Sequence, residues 1–323
     1  MSHDDSSPTA ASRAVADCLP AALRDATITR IAAGLSGAGV YRVEAGGATY
    51  VLKLAGQGEP AAAWHRTLAV ERLASEAGLA PRIVHVDVDR RAVLSAFVVD
   101  RSFPRFYGDP RTHAAAVELL GRTIRRVHDL PLPPDVPRQD PRALLARVWA
   151  ELDVGAAVPG FAQDAALRVL AEEPPADGRA LVLAHDDLNP TNLIYDGRDL
   201  LFLDWATAGA THPFYDLATV AVYLRMSDDA CRALLAAHDH APVDVLPGRF
   251  RAERRLAAGL AGTLFLRLAR QLGHPGATGA ETVATTLALA EVYQRMRAGT
   301  LAVATADGQW TFGLALLAAS LAS

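Results

Sequence analysis

The sequence predicts a two-lobed α+β fold, in which a small lobe of antiparallel strands with one helix precedes a larger, mainly helical lobe. The first hundred residues alternate short β-type runs with glycine-containing turns. After Asp100, apolar residues recur with helical spacing. A hairpin pattern around Asp196-Gly197 interrupts the helices. We expect a disordered N-terminus over residues 1–12, a small lobe over residues 13–98 and a large lobe over residues 99–323.

The small lobe is predicted to contain five strands and one helix. A glycine-rich turn separates the first two strands, and a second glycine turn separates the next two. The helix ends at Gly78, and Pro81 follows as a helix breaker. The predicted strands are Thr27–Ala33, Val40–Glu44, Thr49–Leu54, Ile83–Val88 and Ala92–Val98, and the predicted helix is Ala61–Ala77.

The large lobe is predicted to begin with a helix over Arg111–Leu130, because its apolar residues recur every three or four positions. His128 lies near the end of this helix, where we expect it to satisfy the local backbone. Shorter apolar runs on both sides of Asp196-Gly197 predict a hairpin within Leu181–Trp205. Further helices are predicted over Arg142–Leu152 and Ala162–Glu172, and from Asp216 onward.

Composition and charge exclude several classes of protein. The formal net charge of −4 gives no reason to expect a nucleic-acid or anionic membrane partner. The two cysteines, Cys18 and Cys231, are far apart, which disfavours disulfide and thiolate zinc scaffolds. The N-terminus is acidic, and the apolar stretches are too short to span a bilayer. These features predict a cytoplasmic protein. Its oligomeric state does not follow from them, and a monomer or a homodimer is expected.

The predicted hairpin brings oxygen-bearing side chains to one end of two strands. Asn192 precedes its first strand and Asp204 follows its second, so folding the hairpin brings them close together. Asp187 lies five residues before Asn192, on the entering loop. Hard oxygen ligands suit Mg²⁺ with its attached phosphates, and a further carboxylate can accept the proton of a hydroxyl group. This division of roles indicates phosphoryl transfer.

A possible phosphate-binding half of the site lies in the small lobe. Lys53 is the only lysine among 32 basic residues. In a chain that otherwise uses arginine, a single lysine indicates a site that needs a compact point charge, which a guanidinium group cannot provide. Lys53 lies 14 residues after Gly39, across one strand and a turn. Glycines in the preceding turn would let the backbone approach phosphate groups. The turn residues assigned to the nucleotide site are Gly34, Ser36, Gly37 and Gly39.

From about Thr27 to its C-terminal helices, the chain resembles the aminoglycoside phosphotransferase and choline kinase family, whose fold is like that of protein kinases. The most specific match is His185-x-Asp187-x4-Asn192, followed by Leu203-Asp204-Trp205 and Pro213–Ala218. The resemblance implies that ATP is the donor, that Asp187 is the catalytic base and that His185 supports its loop. It implies that Asn192 and Asp204 bind Mg²⁺, and that Asp216 anchors the loop. It also implies an adenine-binding hinge at Ser95–Val98, with backbone groups of Ala96, Phe97 and Val98.

Three positions depart from the family pattern. Asp186 stands where the family often has Gly or Asn. Ala206 stands where an acidic residue is common, and this weakens an assignment to choline. The helical glutamate expected to pair with Lys53 falls near Thr67, so Glu71, one turn later, is the nearest substitute, with an ordinary surface glutamate as the alternative.

The acceptor is predicted to be a small molecule with a hydroxyl group. From Ala218 onward the sequence contains ten arginines and eight acidic residues. This slightly positive balance argues mildly against a polycationic aminoglycoside as the acceptor. An alcohol of the choline, ethanolamine or thiamine type is the leading expectation, and an aminoglycoside, another antibiotic or a sugar is the alternative. Two other classes stay open: a non-catalytic kinase-like binding module, and a metal-dependent phosphohydrolase using His185, Asp186 and Asp187 with His212.

Overall fold

The computed structural model describes residues 14–31, 39–56, 58–152 and 158–322. The chain divides into two compact units. The first unit comprises the residues up to Arg105 together with Asn192–Ala208, and the second comprises Phe106–Thr191 and Gly209–Ser323. The predicted lobe boundary after Val98 stays a prediction.

The first unit is built on a five-stranded antiparallel sheet in the order β1-β2-β3-β5-β4. Gly46 and Gly47 both have positive φ angles in the turn between β2 and β3, a conformation that glycine adopts without steric cost. In the central strand β3, Leu52 is fully buried and Lys53 points to the other face. The strands are β1 (Thr27–Ile31), β2 (Gly39–Ala45), β3 (Ala48–Leu54), β4 (Ile83–Asp87) and β5 (Ala92–Ala96).

One helix, α1 (Ala61–Glu76), packs beside this sheet. Trp64 and Leu68 of α1 form an apolar cluster with Val93 of β5. The helix ends before Gly78, whose φ of 67° is the left-handed conformation typical of a helix C-terminus. The predicted helix and its glycine stop are therefore present.

The hairpin predicted around Asp196-Gly197 also belongs to the first unit. Strands β7 (Leu193–Tyr195) and β8 (Leu200–Phe202) are antiparallel, with Leu193 opposite Phe202. The Phe202 N–H donates to the Leu79 carbonyl at 2.8 Å, which ties the hairpin to the segment after α1. This attachment fixes the position of Asp204, two residues beyond the end of β8.

The rest of the chain is mainly helical, apart from the short antiparallel pair β6 (Val182–Ala184) and β9 (Gly209–Thr211) of the second unit. An apolar core of the second unit lies around Trp149, Leu266, Trp310 and Leu317. The helices that follow α1 are α2 (Phe103–Gly108), α3 (His113–His128), α4 (Pro141–Glu151), α5 (Gly160–Ala171), α6 (Phe214–Tyr223), α7 (Asp228–Asp239), α8 (Gly248–Gln271), α9 (Leu289–Arg297) and α10 (Ala306–Ala322).

Helices α3 and α7 approach each other closely at Gly121 of α3. A Cβ atom at Gly121 would lie 2.6 Å from the Leu234 carbonyl oxygen and 2.7 Å from the Ala237 Cβ, so no larger residue fits there without a shift of α7. This contact brings His128 of α3 to His238 of α7.

The predicted α+β fold class, with an antiparallel sheet first and mainly helices afterwards, is confirmed. Sequence patterns missed α2 and the β6–β9 pair, because elements of six and three residues are too short for a reliable periodicity. No helix in the described part of the chain is long and apolar enough to cross a membrane.

Candidate active site

The first unit brings Lys53 and Asp204 together. The Lys53 Nζ lies 2.8 Å from the Asp204 Oδ1, and both side chains are about one-third exposed. Lys53 is held near the end of the central strand β3, whereas Asp204 follows β8. The result is a cation and a carboxylate in direct contact that remain accessible to solvent and to a ligand.

The ends of the hairpin bring Asn192 and Asp204 into the same neighbourhood. The Leu203 N–H donates to the Asn192 carbonyl oxygen at 2.9 Å, so Asp204 follows a residue bonded directly to Asn192. Asp204 has a φ of 61°, a left-handed conformation that Asp tolerates better than most residues. One amide and one carboxylate oxygen fit Mg²⁺, which keeps several waters and takes its remaining ligands from phosphate groups.

A cavity of about 420 Å³ adjoins this ion pair within the first unit. Its wall includes Lys53, Asp204, Ala206 and Glu71 together with apolar residues such as Trp64. Burial raises the pKa of the half-buried Glu71 carboxyl; the Lys53 charge opposes this shift and the Asp204 charge adds to it. Among the described residues no ion pair joins Glu71 to Lys53, whose ammonium group contacts Asp204 instead.

The predicted phosphate loop is only partly described. Gly34, Ser36 and Gly37 lie outside the described residues, whereas Gly39 is the first residue of β2, opposite Leu54. A Cβ at Gly39 would lie 3.0 Å from the Tyr41 ring, so the position favours glycine on packing grounds alone. Its predicted role in nucleotide binding stays a prediction.

The predicted adenine hinge follows strand β5. The N–H groups of Ala96 and Phe97 donate to the carbonyl oxygens of Arg82 and Thr49, at 2.8 and 3.1 Å. These two donors are therefore used within the sheet. The predicted adenine contact then depends on the carbonyl groups of this segment and on the Val98 backbone.

Asp187 lies in the second unit on the loop after β6. The Asn189 Nδ2 donates to the Asp187 Oδ1 at 3.0 Å, which orients the carboxylate from within its own loop. The Asp187 N–H donates to the His185 Nδ1 at 3.3 Å, and His185 is fully buried. His185 therefore supports the backbone at Asp187, which is consistent with the predicted role of this histidine.

The buried carboxylate of Asp216 holds the start of this loop. Its Oδ2 accepts the His185 N–H and its Oδ1 accepts the Asp186 N–H, both at 2.8 Å. The His128 Nε2 is a third partner, 3.1 Å from the Oδ2. Although burial raises the pKa of Asp216, the hydrogen bonds and positive partners outweigh it and hold the pKa below its usual range. The expectation that His128 satisfies only the local backbone was wrong, because its imidazole bonds to other helices.

The geometry also explains the unusual residue Asp186. Its φ of 64° is a left-handed conformation that Gly and Asn adopt readily and Asp tolerates. Its Oδ2 accepts a hydrogen bond from the Thr211 hydroxyl at 2.7 Å, whereas its buried Oδ1 has no partner among the described residues. Burial and the neighbouring Asp216 charge raise the pKa of Asp186 well above its usual value.

The second unit contains a cluster of aromatic side chains around Phe312. Burial raises the pKa of its member Tyr223, and the Asp187 charge raises that pKa further. The Phe312 ring lies 6.5 Å from the Tyr223 ring, 5.6 Å from the Tyr293 ring and 4.8 Å from the Phe265 ring. We call Tyr223, Phe265, Tyr293 and Phe312 the aromatic cluster. Sequence periodicity gave no sign that these four residues meet.

Solved structures of phosphotransferases share this fold. A choline/ethanolamine kinase family protein from Mesorhizobium loti aligns over 96% of this chain and 98% of its own, with 18% identity and a TM-score of 0.63. Macrolide 2'-phosphotransferase from Brachybacterium faecium aligns over 79% and 93%, with 18% identity and a TM-score of 0.56. Spectinomycin phosphotransferase, in complex with ADP and spectinomycin, aligns over 90% and 93%, with 11% identity and a TM-score of 0.55.

The sequence itself gives a more direct assignment. No curated protein matches the chain significantly. The model of the phosphotransferase enzyme family, however, matches residues 27–257, which include the sheet, the hairpin and the Asp187 loop. The resemblance drawn from the sequence motifs is thereby confirmed. The chain belongs to the phosphotransferase enzyme family and is an enzyme that transfers phosphate to a hydroxyl acceptor.

Proposed function

We propose that the protein transfers the γ-phosphate of ATP to a hydroxyl group of a small molecule. The observation that carries this proposal is the contact between Lys53 and Asp204. It joins the only lysine of the chain to a carboxylate at the end of the hairpin, beside a cavity in the same unit. A cation for phosphate and an oxygen ligand for Mg²⁺ are the two charges that the donor side of phosphoryl transfer needs.

On the donor side, Lys53 pairs with the α- and β-phosphates of ATP, and Asn192 and Asp204 hold Mg²⁺. Bound Mg²⁺ would neutralise the charge of the phosphate oxygens. Glu71 lines the cavity that also contains Lys53, and we assign it to the nucleotide site. The glycine-rich segment (Gly34, Ser36, Gly37 and Gly39) covers the phosphates, and backbone groups of Ala96–Val98 bind adenine. The spectinomycin phosphotransferase of similar fold, which contains ADP, supports a nucleotide donor.

On the acceptor side, Asp187 orients the hydroxyl group and accepts its proton as the phosphoryl group is transferred. Its carboxylate is oriented for this role, because the Asn189 side chain donates to one of its oxygens and Asp216 binds the backbone N–H of His185. His185 supports the loop from the core without contacting the substrate. The phosphohydrolase alternative needs more ligands, and among the described residues no group of three His, Cys, Asp or Glu side chains could hold a metal ion.

We propose an alcohol of the choline, ethanolamine or thiamine type as the acceptor. The aromatic cluster supports this choice, since aromatic rings attract the cationic end of an amino alcohol and its member Tyr223 is within range of the Asp187 charge. A choline/ethanolamine kinase family protein is among the structures of similar fold. An aminoglycoside or another antibiotic is the second candidate, supported by the macrolide and spectinomycin phosphotransferases of similar fold.

The experiment that tests this proposal measures ADP release from ATP and Mg²⁺ over a panel of amino alcohols, aminoglycosides, macrolides, sugars and nucleosides. We expect release to rise strongly with one chemical class and to stay at the background level without an acceptor. Omission of Mg²⁺ should abolish the stimulated rate. Equal release with and without every acceptor would indicate a hydrolase and would contradict the proposal.

A further inference from the structure

A continuous row of hydrogen-bonded side chains runs from the Asp187 loop to the surface of the second unit. The Asp216 Oδ2 lies 3.1 Å from the His128 Nε2, and the His128 Nδ1 lies 2.8 Å from the His238 Nε2. The His238 Nδ1 lies 2.7 Å from the Asp239 Oδ1. Arg179 closes the row with two hydrogen bonds to the Asp239 carboxylate, at 2.9 and 2.7 Å.

The two histidines of this row are shielded from water. His128 and His238 are 7% and 3% exposed, and Asp216 is fully buried. The close approach of α3 and α7 at Gly121 holds the two imidazoles together, with ring centroids 5.0 Å apart. A hydrogen bond lost within this row could therefore not be replaced by bulk water, and each position must be filled by a proton or by a lone pair.

The histidine pair lies between two carboxylates, Asp216 and Asp239. Three hydrogen-bond donors and nearby positive charge hold the pKa of Asp216 below its usual range despite its burial. Burial also raises the pKa of Asp239, but its bonds to His238 and Arg179 outweigh that and lower the pKa strongly. Both groups are therefore ionised at neutral pH, and each can only accept a hydrogen bond.

Because both carboxylates can only accept, the number of protons on the two imidazoles can be counted. The His128 Nε2 must carry a proton to bond Asp216, and the His238 Nδ1 must carry one to bond Asp239. The remaining contact joins two ring nitrogens, and it is a hydrogen bond only if one proton lies between them. The four nitrogens then hold three protons, one more than two neutral imidazoles carry.

We propose that His128 and His238 share one excess proton, and that His238 is thereby a positioning residue for the Asp187 loop. The pair is a single buried cation between Asp216 and Asp239. Asp239, bonded to Arg179, holds His238 in place, and His238 holds His128. His128 in turn orients Asp216, which binds the backbone N–H groups of His185 and Asp186. His238 touches no reacting atom.

The charges around His238 favour three protons over four. The pKa of His238 is lowered overall: burial lowers it most, and the charges of His128 and of Arg125 of α3 add to this, whereas the bond to Asp239 and the Asp239 charge raise it. Arg179 donates a hydrogen bond to Asp239, and Asp216 lies 3.1 Å from the His128 Nε2. A fourth proton would place two donors against each other, whereas loss of the third would leave two lone pairs in contact.

The role in activity rests on the proposed function of Asp187, but the proton count does not. Selective ¹⁵N labelling of histidine, with assignment through His128→Gln and His238→Gln, measures which ring nitrogens carry protons. We expect three protonated nitrogens in the pair at neutral pH and a strongly downfield proton between the rings. Two or four protonated nitrogens would overturn the proposal. If Asp187→Asn kept full activity, the proposed function would fail while this count still stood.

Asp239→Asn tests the positioning role, because it removes one of the two counter-charges. We expect the wild-type kcat to fall at alkaline pH as the excess proton leaves the pair. In Asp239→Asn the proton should leave about one pH unit lower than in the wild type, and the fall of kcat should move by the same amount. The KM for ATP should not change. Asp229→Asn, at an exposed carboxylate of the same helix paired with Arg232, is the matched control and should keep the wild-type profile. A wild-type kcat that does not fall at alkaline pH, or a fall that Asp239→Asn leaves in place, would overturn the positioning role.

Discussion

The Lys53 ammonium group lies 2.8 Å from the Asp204 carboxylate, although 151 residues separate them in sequence. The sheet carries the cation, and the hairpin that is tied to Leu79 carries the anion. Both partners are partly exposed, so the pair contributes little to stability by itself. The contact holds the Lys53 ammonium group against Asp204 at the edge of the cavity.

We predict that Lys53→Ala weakens ATP binding about tenfold or more, because one charge-assisted contact to phosphate is lost. Lys53→Arg should not restore the affinity, since a planar guanidinium cannot replace a compact ammonium group at this position. Isothermal titration calorimetry with ATP and Mg²⁺ measures both variants. Arg66→Ala, at an exposed cation of α1, is the control and should bind like the wild type. Unchanged affinity in Lys53→Ala would exclude a role in phosphate binding.

We predict that Asp216→Asn lowers the free energy of unfolding by about 3 kcal/mol, because a buried carboxylate with three hydrogen-bond donors is lost. The asparagine amide has the same shape but only one acceptor oxygen. Its NH2 group is a donor and would lie against the donor N–H groups of the backbone. Urea denaturation measures the change. Asp129→Asn removes an exposed ion pair with Arg125 and should cost less than about 1 kcal/mol. Equal stability of Asp216→Asn and the control would show that Asp216 does not anchor the loop.

Asp186 gives a prediction that depends on pH. Its pKa is raised in the folded state, so folding becomes less favourable as the pH rises from the unfolded pKa through the folded pKa. Asp186→Asn removes the buried charge and keeps a residue suited to positive φ. We expect it to stabilise the protein by about 1 kcal/mol at neutral pH, with the gain lost in acid.

The matched variant Asp186→Ala separates charge from backbone conformation. It removes the same charge, but alanine is strained at a φ of 64°, at a cost of about 1 kcal/mol. Thermal unfolding of both variants at neutral and acid pH tests the explanation. A gain for Asn that does not vary with pH would mean that the charge of Asp186 is not the cause.

We predict that Asn189→Ala lowers kcat about tenfold and leaves the KM for ATP unchanged. The side chain donates to the Asp187 Oδ1 at 3.0 Å, so its removal leaves the carboxylate free to rotate away from the acceptor hydroxyl. Steady-state kinetics with the best acceptor measures the effect. Thr191→Ala removes a hydroxyl that donates to the Asn189 Oδ1 but keeps the Thr191 N–H bond to the same oxygen, so it should retain most of the activity. A fall in ATP affinity without a change in kcat would place Asn189 on the donor side instead.

The sequence predicted the elements that have strong local signals. The hairpin followed from Asp196-Gly197, the end of α1 from Gly78, and the proximity of Asn192 and Asp204 from the hairpin itself. Lys53 stood out as the single lysine, and the structure places it against Asp204. These features are encoded over short stretches of chain or by an unusual residue type.

The features that the sequence did not predict depend on contacts between distant segments. His128 and His238 are 110 residues apart, and neither has a motif that marks the other. Asp186 departs from the family pattern in the sequence, and the reason is a positive φ that the sequence does not reveal. The aromatic cluster joins four helices, so helical periodicity could identify its members only as apolar positions.

The most direct test of the central claim is the acceptor-dependent release of ADP by Asp187→Asn. The amide keeps the size of the side chain but cannot accept the proton of the acceptor hydroxyl, so kcat should fall about a hundredfold or more. ATP binding, measured by calorimetry, should stay close to that of the wild type. Acceptor-dependent turnover at the wild-type rate in Asp187→Asn would contradict the assignment of the base.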